Sequence, residues 1–297
     1  MSWQVIGSIA ELRAALAGAR RAGRTIGLAP TMGALHAGHA RLIEQAVEET
    51  DYAVVSIFVN PIQFNDPRDY DQYPRTLAED AELCGRLGVR IVFAPSGEEM
   101  YAQPQQSFVE VQGVTQFLCG PFRPGHFRGV ATVVLKLFQI VQPDVAYFGE
   151  KDAQQLAVIR RMVRDLNVPV RIVGVETVRA PDGVALSSRN RLLNGEERRQ
   201  APALYQALER VRERIEAGAS DAAALRQEAV AALEERRIRV EYLEIVDLES
   251  MHPVERIDGP VRVAAAIWLG AVRLIDNVLC AGPGEAPTPL VAEPEGR

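Results

Sequence analysis

Cysteine and histidine are scarce in this chain, which has three cysteines and four histidines among 297 residues. Cys84, Cys119 and Cys280 are far apart and odd in number. The sequence therefore predicts neither a disulfide framework nor a zinc knuckle, and a reducing compartment is its natural environment.

Long hydrophobic runs and an excess of positive charge are also lacking. No apolar run reaches membrane-spanning length, and the first residues lack the basic segment and apolar core of a secretion signal. The formal net charge of -6 argues against a broad nucleic-acid-binding surface. We therefore expect a cytoplasmic protein that binds small anionic substrates, with neither membrane nor nucleic acid as a partner.

The first half of the chain alternates short β-branched runs with helical patterns. Strands are predicted at 25–29, 53–59, 89–94, 145–149 and 170–177, and helices at 37–50, 76–87, 129–141 and 152–166. This alternation is typical of a parallel sheet with crossover helices. We predict an α/β fold in which residues 1–180 form a doubly wound, Rossmann-like nucleotide-binding domain.

The second half changes pattern. Charged amphipathic helices are predicted at about 195–217, with Asn194 as the N-cap, and at about 221–237, with Ser220 as the N-cap. Three β-rich segments follow and predict a small antiparallel sheet.

These patterns divide the chain into three parts. Residues 181–283 are expected to form a smaller C-terminal α+β domain. Residues 284–297 are dominated by Ala, Gly, Pro and Glu, so we expect a disordered tail there.

The segment PTMGALHAGH, residues 30–39, lies where the first predicted strand ends and the next helix begins. Ligands bind at this edge of open α/β sheets, and a helix N-terminus offers unpaired N–H groups to phosphate. His36 and His39 share one face of the first helical turn. A histidine pair without a role, or half of a metal site, is the alternative, although no Cys or carboxylate flanks the pair at zinc-ligand spacing.

The string HAGH resembles the HxGH signature of the superfamily that includes class I aminoacyl-tRNA synthetases and nucleotidyltransferases. The whole of residues 30–39 resembles the pantothenate synthetase family. Four further segments agree with that family in order: FVNPIQF (58–64), RPGHFRGV (123–130), YFGEKDAQQ (147–155) and SSRN (187–190). The resemblance covers about residues 25–191 and, more loosely, extends to about 280.

This resemblance implies a reaction and a set of partners. The family condenses pantoate with β-alanine through an enzyme-bound pantoyl adenylate, consuming ATP with Mg²⁺ and releasing AMP and pyrophosphate. It also implies a homodimer in which the C-terminal domain acts as a lid.

The resemblance assigns roles residue by residue. The expected catalytic residues are His36, His39, Lys151 and Arg189. The expected ATP-binding residues are Met32, Gly33, Ala34, Leu35, His36, Ala37, Gly38, His39, Gly149, Glu150, Lys151, Asp152, Val178, Leu186, Ser187, Ser188 and Arg189. Gln63 and Gln155 match the family's pantoate-binding glutamines, and Gln63 lies close to its β-alanine site.

The residue types fit these roles, but each has a plainer alternative. Asn60 and Gln63 carry carboxamides suited to hydroxyl and carboxylate groups, yet Asn60 with Pro61 can simply form a turn. Lys151 can neutralise the α-phosphate, although a Lys-Asp pair also starts solvated helices. The SSRN loop can close over ATP or serve only as a linker.

Three points remain open from the residues alone. Leu186 replaces the methionine usual in the family, a swap of similar volume. Arg123 and His126 can attract anionic groups, or their loop can pack against a partner subunit. Glu79 and Asp80 are possible magnesium neighbours, although acidic residues at a helix start more often complement the helix dipole, so the metal ligands are unknown.

Two other functions use the same motifs. A nucleotidyltransferase of the same superfamily would retain the nucleotide in its product and would not need the amides of FVNPIQF and AQQ. A catalytically silent nucleotide-binding regulator would bind ATP without turnover.

Overall fold

The computed structural model describes residues 3–101 and 105–283, so the predicted tail at 284–297 lies outside the described residues. The strands are β1 (Gln4–Ile6), β2 (Ile26–Thr31), β3 (Tyr52–Ile57), β4 (Ile91–Phe93), β5 (Val145–Gly149), β6 (Arg171–Val175), β7 (Arg239–Val246), β8 (Val261–Leu269) and β9 (Val272–Cys280). The α-helices are α1 (Ile9–Arg21), α2 (Ala37–Glu49), α3 (Pro67–Asp71), α4 (Leu77–Arg86), α5 (Gly97–Met100), α6 (His126–Val141), α7 (Ala153–Asp165), α8 (Gly195–Gln200), α9 (Pro202–Glu216) and α10 (Ala222–Glu235). Short 3₁₀ helices cover Pro61–Gln63, Glu150–Asp152 and Ser188–Leu192.

Strands β1 to β6 form one parallel sheet in the order β1-β4-β3-β2-β5-β6. Their side chains are mostly buried, because helices cover both faces of a doubly wound sheet. The strands of such a sheet are therefore rich in apolar residues. The predicted Rossmann-like α/β fold is confirmed. The short edge strand β1 and helix α1 were not predicted.

Strands β7, β8 and β9 form the predicted antiparallel sheet. Helices α9 and α10 pack against it, and their shared core includes Leu208, Leu233 and Ile267. The chain divides into two compact units. The first contains the described residues up to Thr115, Gly120–Val178 and Leu186–Ser188; the second contains Gln116–Cys119, Arg179–Ala185 and the described residues from Arg189 onward.

Two local predictions in the second unit were wrong. The helix predicted over 195–217 is two helices, because Pro202 has no N–H to continue the hydrogen-bond ladder of α8. Helix α10 is capped by Asp221, whose carboxylate accepts the Ala224 N–H at 3.0 Å, and not by Ser220. The predicted cap at Asn194 is confirmed, since its side chain accepts the N–H groups of Glu196 and Glu197.

Across residues 3–101 and 105–283, no helix has both the length and the apolar character that crossing a membrane requires.

Candidate active site

The strand order of the large sheet reverses at β2, which pairs with β3 on one side and with β5 on the other. The crevice between the carboxyl ends of β2 and β5 is the place where such sheets bind ligands. β2 ends at Thr31 and leads into the histidine segment, while β5 ends at Gly149 and leads into Glu150–Asp152. The two motifs predicted to bind phosphate therefore leave the same edge of the sheet.

The two histidines are held by backbone N–H groups. His36 is the N-cap of α2, and its Nδ1 accepts the Gly38 N–H at 3.1 Å. His39 Nδ1 accepts the N–H of His36 at 3.4 Å, and the two ring centroids are 4.1 Å apart. Because Nδ1 of each ring is an acceptor, the proton of each neutral ring lies on Nε2. In each ring Nε2 is therefore the donor.

The charge state of His39 follows from its surroundings. Burial is the main cause that lowers its pKa to about 3; the neighbouring His36 and Lys151 lower it further, and Asp152 opposes the shift. His39 is therefore neutral at physiological pH and interacts as a hydrogen-bond donor, without positive charge.

Gly38 leaves the space that His36 occupies. A Cβ added at Gly38 would lie 2.9 Å from Cε1 and 3.0 Å from Nδ1 of His36. Leu186, from the first-unit segment Leu186–Ser188, borders the same position, with its Cβ 4.0 Å away. The glycine of HAGH is thus required sterically, because any side chain there would displace the first imidazole.

The loop before the histidines, Gly33–Leu35, is buried and is bound by a carboxylate of α4. Gly33 and Ala34 have positive φ angles of 83° and 50°. The N–H groups of Ala34 and Leu35 both donate to the carboxylate of Asp80 in α4. Leu35 packs into the apolar core of the first unit, and Ala37, the first residue of α2, is exposed.

The segment after β5 carries Lys151, the predicted catalytic lysine. Lys151 is half-buried, and its Nζ lies 3.6 Å from Oδ2 of the more exposed Asp152. Both groups act electrostatically on His39, whose pKa Asp152 raises and Lys151 lowers. Gly149 approaches α2, since a Cβ there would lie 3.8 Å from Leu42, whereas Oε1 of Glu150 lies 3.0 Å from the corresponding position at Gly174 in β6.

Asn60 and Gln63 form a buried amide network. Asn60 Nδ2 donates to Gln63 Oε1 at 2.8 Å and to the Gly129 carbonyl at 3.1 Å, and its Oδ1 accepts from the Tyr101 hydroxyl at 2.6 Å. Gln63 Nε2 donates to Met32 Sδ at 3.1 Å. The Asn60 side chain is 1% exposed. It therefore orients Gln63, and Gln63 links this network to the histidine segment.

His126, the first residue of α6, binds the Gln63 backbone, and Arg123 binds His126. His126 is buried, and its Nδ1 lies 2.9 Å from the Gln63 carbonyl, which can only accept, so Nδ1 carries the proton. Its Nε2 then accepts from Arg123 at 3.1 Å. A Cβ at Gly129 would lie 2.4 Å from the Ile62 carbonyl, so α6 packs directly on this backbone. Tyr101 and Gly129 were not identified from sequence, because nothing local marks them as partners of Asn60.

Two neighbouring glutamines in α7 have different surroundings. Gln154 is buried and donates to the Val114 carbonyl at 2.9 Å. Gln155, the predicted substrate ligand, is half-buried one position further along the same first turn.

The remaining predicted nucleotide contacts lie on both units. Leu186 N–H donates to the Val178 carbonyl at 2.9 Å, which joins these two residues of the first unit. Ser187 and Ser188 are half-buried in the same segment, and Arg189 belongs to the second unit within the 3₁₀ helix Ser188–Leu192.

Within residues 3–101 and 105–283, no group of three His, Cys, Asp or Glu side chains converges on a point that could hold an ion. Asp80, considered a magnesium neighbour from sequence, directs Oδ1 to Leu35 N–H and Oδ2 to Ala34 N–H.

Sequence comparisons identify relatives of this chain. The family model described as pantoate-β-alanine ligase matches residues 4–279. The chain is 54% identical to the pantothenate synthetase of Pseudomonas paraeruginosa, over 91% of this chain and 96% of that one. It is 52% identical to the pantothenate synthetase of Heliobacterium modesticaldum, over 93% of this chain and 99% of that one.

Solved structures give the same result. Pantothenate synthetase from Thermus thermophilus has a TM-score of 0.87 and 47% identity, covering 93% of this chain and 98% of its own. The pantoate-β-alanine ligase of Francisella tularensis, solved in complex with β-γ ATP and β-alanine, has a TM-score of 0.78 and 34% identity, covering 94% of this chain and 98% of its own.

Proposed function

Because the chain belongs to the pantoate-β-alanine ligase family, we propose how its residues share the work of that reaction. The enzyme joins pantoate to β-alanine with ATP. The observation that carries the assignment of roles is the pair of imidazoles at the start of α2, each of which accepts a backbone N–H at Nδ1 and therefore has Nε2 as its donor.

In the first half-reaction, a carboxylate oxygen of pantoate attacks the α-phosphorus of ATP. A carboxyl–phosphate bond forms, the bond from the α-phosphorus to the bridging oxygen breaks, and pyrophosphate leaves. His36 and His39 donate Nε2–H hydrogen bonds to phosphate oxygens, while Lys151 supplies the fixed positive charge. Two neutral donors need no proton transfer as charge grows on the oxygens.

In the second half-reaction, the β-alanine nitrogen attacks the acyl carbon of the adenylate. The amide bond forms, the nitrogen loses a proton, and AMP leaves with the former carboxylate oxygen. The protein contributes position more than covalent chemistry here. Gln63, fixed by Asn60 and Met32, and Gln155 on α7 hold pantoate for both steps.

The nucleotide is proposed to bind along the rest of the carboxyl edge of the large sheet. Gly149–Asp152, Val178 and Leu186–Ser188 are proposed to line its adenosine side, and Arg189 to neutralise the departing pyrophosphate. Mg²⁺ would reach the site on the phosphates of ATP, since the described residues offer no cluster of three ligands, and there it would neutralise phosphate charge.

We further propose that the protein works in the cytoplasm as a homodimer. Two aromatic side chains of the first unit, Phe108 and Phe122, are exposed, and we propose them as part of the dimer contact. Light scattering at micromolar concentration checks this part independently of activity.

The reaction is tested by isotope exchange. Labelled pyrophosphate is expected to enter ATP when pantoate is present and β-alanine is absent. Adding β-alanine should then release AMP in equal amount to amide product. Exchange that does not need pantoate, or release of ADP, would show that the ligase assignment is wrong; exchange that needs a phosphorylated acceptor would indicate a nucleotidyltransferase.

Two substitutions of His39 test the contributions of its two ring nitrogens separately. His39→Asn keeps an acceptor near Nδ1 but removes the Nε2 donor, whereas His39→Gln keeps a donor near Nε2. We expect exchange by the Asn variant to fall about 10²-fold or more, the loss typical of removing one transition-state donor, and the Gln variant to retain more activity. Equal rates for the Asn variant and the wild type would remove the Nε2 donor from the mechanism.

A further inference from the structure

The loop between β2 and α2 adopts a backbone that L-residues rarely choose. Ala34 has a φ of 50°, in the left-handed region, immediately after Gly33 with a φ of 83°. A non-glycine residue in that region costs about 1 kcal/mol or more, so surrounding contacts must hold it there. The loop matters because Leu35 is followed directly by His36.

Asp80 of α4 supplies those contacts. Its Oδ2 accepts the Ala34 N–H at 2.9 Å, and its Oδ1 accepts the Leu35 N–H at 2.8 Å. The Thr76 hydroxyl donates to Oδ2 at 3.1 Å. Asp80 is 4% exposed, so these hydrogen bonds form away from water, where charge-assisted bonds are strong.

Steric fit ties Gly33 to the same carboxylate. A Cβ at Gly33 would lie 3.0 Å from Asp80 Oδ2 and 3.1 Å from Ile57 Cγ2. The loop therefore lies close over α4, and Asp80 fixes two consecutive peptide groups just before the helix begins.

We propose that Asp80 is a positioning residue for the ligation reaction, acting through the backbone of Ala34 and Leu35 on His36 and His39. The proposal rests on the proposed role of the histidines. The Leu35 N–H bond fixes the direction in which the chain enters α2, and the two imidazoles are the N-cap and third residue of that helix. Both oxygens of Asp80 bind the backbone of this loop, so we assign the residue to the protein scaffold.

Asp80→Asn is the direct test, because an amide offers one acceptor oxygen and turns an N–H donor towards a backbone N–H. Asp144→Asn is the matched control: Asp144 Oδ2 accepts the Ile26 N–H at 2.7 Å at the opposite end of β2. Both variants are expected to melt at a lower temperature than the wild type. Only Asp80→Asn should lower kcat, by about tenfold or more for a misplacement of up to an ångström, with the KM values of pantoate and β-alanine changed by less than threefold. Equal kcat for the two variants would overturn the proposal.

A combined variant separates positioning from a general loss of structure. If Asp80 acts through the two histidines, adding Asp80→Asn to a protein that already carries His36→Ala and His39→Ala should lower pyrophosphate exchange by less than threefold further, because residues that act as a unit are not additive. Multiplied losses would show that Asp80 acts elsewhere. A tenfold rise in the magnesium concentration needed by Asp80→Asn would make it a metal ligand instead.

Thr76→Val decides the matter if Asp80→Asn does not fold. It removes one of three donors to the carboxylate and leaves the backbone bonds in place. A loss in kcat of at least twofold with unchanged KM values supports the positioning role, and an unchanged kcat overturns it. The proposed function itself fails only if the wild type shows no pantoate-dependent exchange, so the two failures are distinguishable.

Discussion

Replacing Gly38 by alanine should separate stability from activity. In the first turn of α2, the new Cβ would lie 2.9 Å from His36 Cε1, against an ordinary carbon–carbon separation of about 3.5–4.0 Å. The imidazole must therefore move by at least about 0.5 Å. Movement of this ring also breaks the bond from Gly38 N–H to Nδ1.

The substitution has two opposing effects on the free energy of unfolding and a separate effect on the rate. Gly→Ala within a helix stabilises by about 0.5–1 kcal/mol, and this gain offsets much of the cost of moving His36. A misplacement of about 1 Å can cost 10²-fold in rate. We therefore expect kcat to fall about 10–100-fold while the melting temperature stays within about 2–4 °C of the wild type, the shift that 1 kcal/mol gives in a domain of this size.

Gly18→Ala is the matched control, since Gly18 lies inside α1 and a Cβ there would meet no atom within 4 Å. It should raise the melting temperature and leave pyrophosphate exchange and AMP release unchanged. Wild-type turnover by Gly38→Ala would refute the reasoning, because it would mean that the position of the His36 ring does not affect the rate.

Three further changes test other parts of the site. Lys151→Met should lower pyrophosphate exchange about 10²-fold, because it removes the fixed charge. The chain has only two lysines, so Lys136→Met is the control; similar rates for the two variants would show that charge at Lys151 is not used. Tyr101→Phe leaves Asn60 Oδ1 buried without its hydroxyl donor and should destabilise by about 1–3 kcal/mol and raise the KM of pantoate through Gln63; a pantoate KM equal to the wild type would separate this network from the substrate. His39 has a folded-state pKa of about 3, below its unfolded value of about 6.5, so the unfolded chain binds the proton first as the pH falls. Its contribution to stability is complete above pH 6.5 and is lost towards pH 3, at up to about 1.4 kcal/mol per pH unit; urea unfolding at pH 7 and pH 5 should show a smaller loss for His39→Gln than for the wild type, and equal losses would contradict the neutral ring.

The sequence located the edge of the sheet that carries the site because local signals mark it. Alternating β-branched and helical segments predicted the ends of β2 and β5, and the glycines and histidines of PTMGALHAGH lie directly after β2. The N-cap Asn194 followed from side-chain chemistry within one helical turn. The prediction that Ser220 caps α10 was wrong because two adjacent residues could cap this helix. The backbone geometry that selects Asp221 is not a local property of the sequence.

The supporting residues could not be predicted in the same way. Tyr101 reaches Asn60 across 41 positions, and Asp80 reaches Ala34 across 46 positions. Neither belongs to a motif, and an acidic residue near a helix start is by default a partner of the helix dipole. Only the tertiary packing of α4 under the loop shows that Asp80 serves the histidine segment.

In the histidine segment, His39 provides a hydrogen-bond donor, and other groups provide the positive charge. His39 stays neutral because burial disfavours its cation, and its Nδ1 is already an acceptor, so it can offer only one donor from Nε2. Positive charge must then come from other groups, such as the Lys151 ammonium, and from the N-terminus of α2. An imidazolium at His39 would add charge but would also place a proton on Nδ1, facing the N–H of His36. The backbone bond that orients the ring would be lost, so the segment can keep its geometry only while the histidine is neutral.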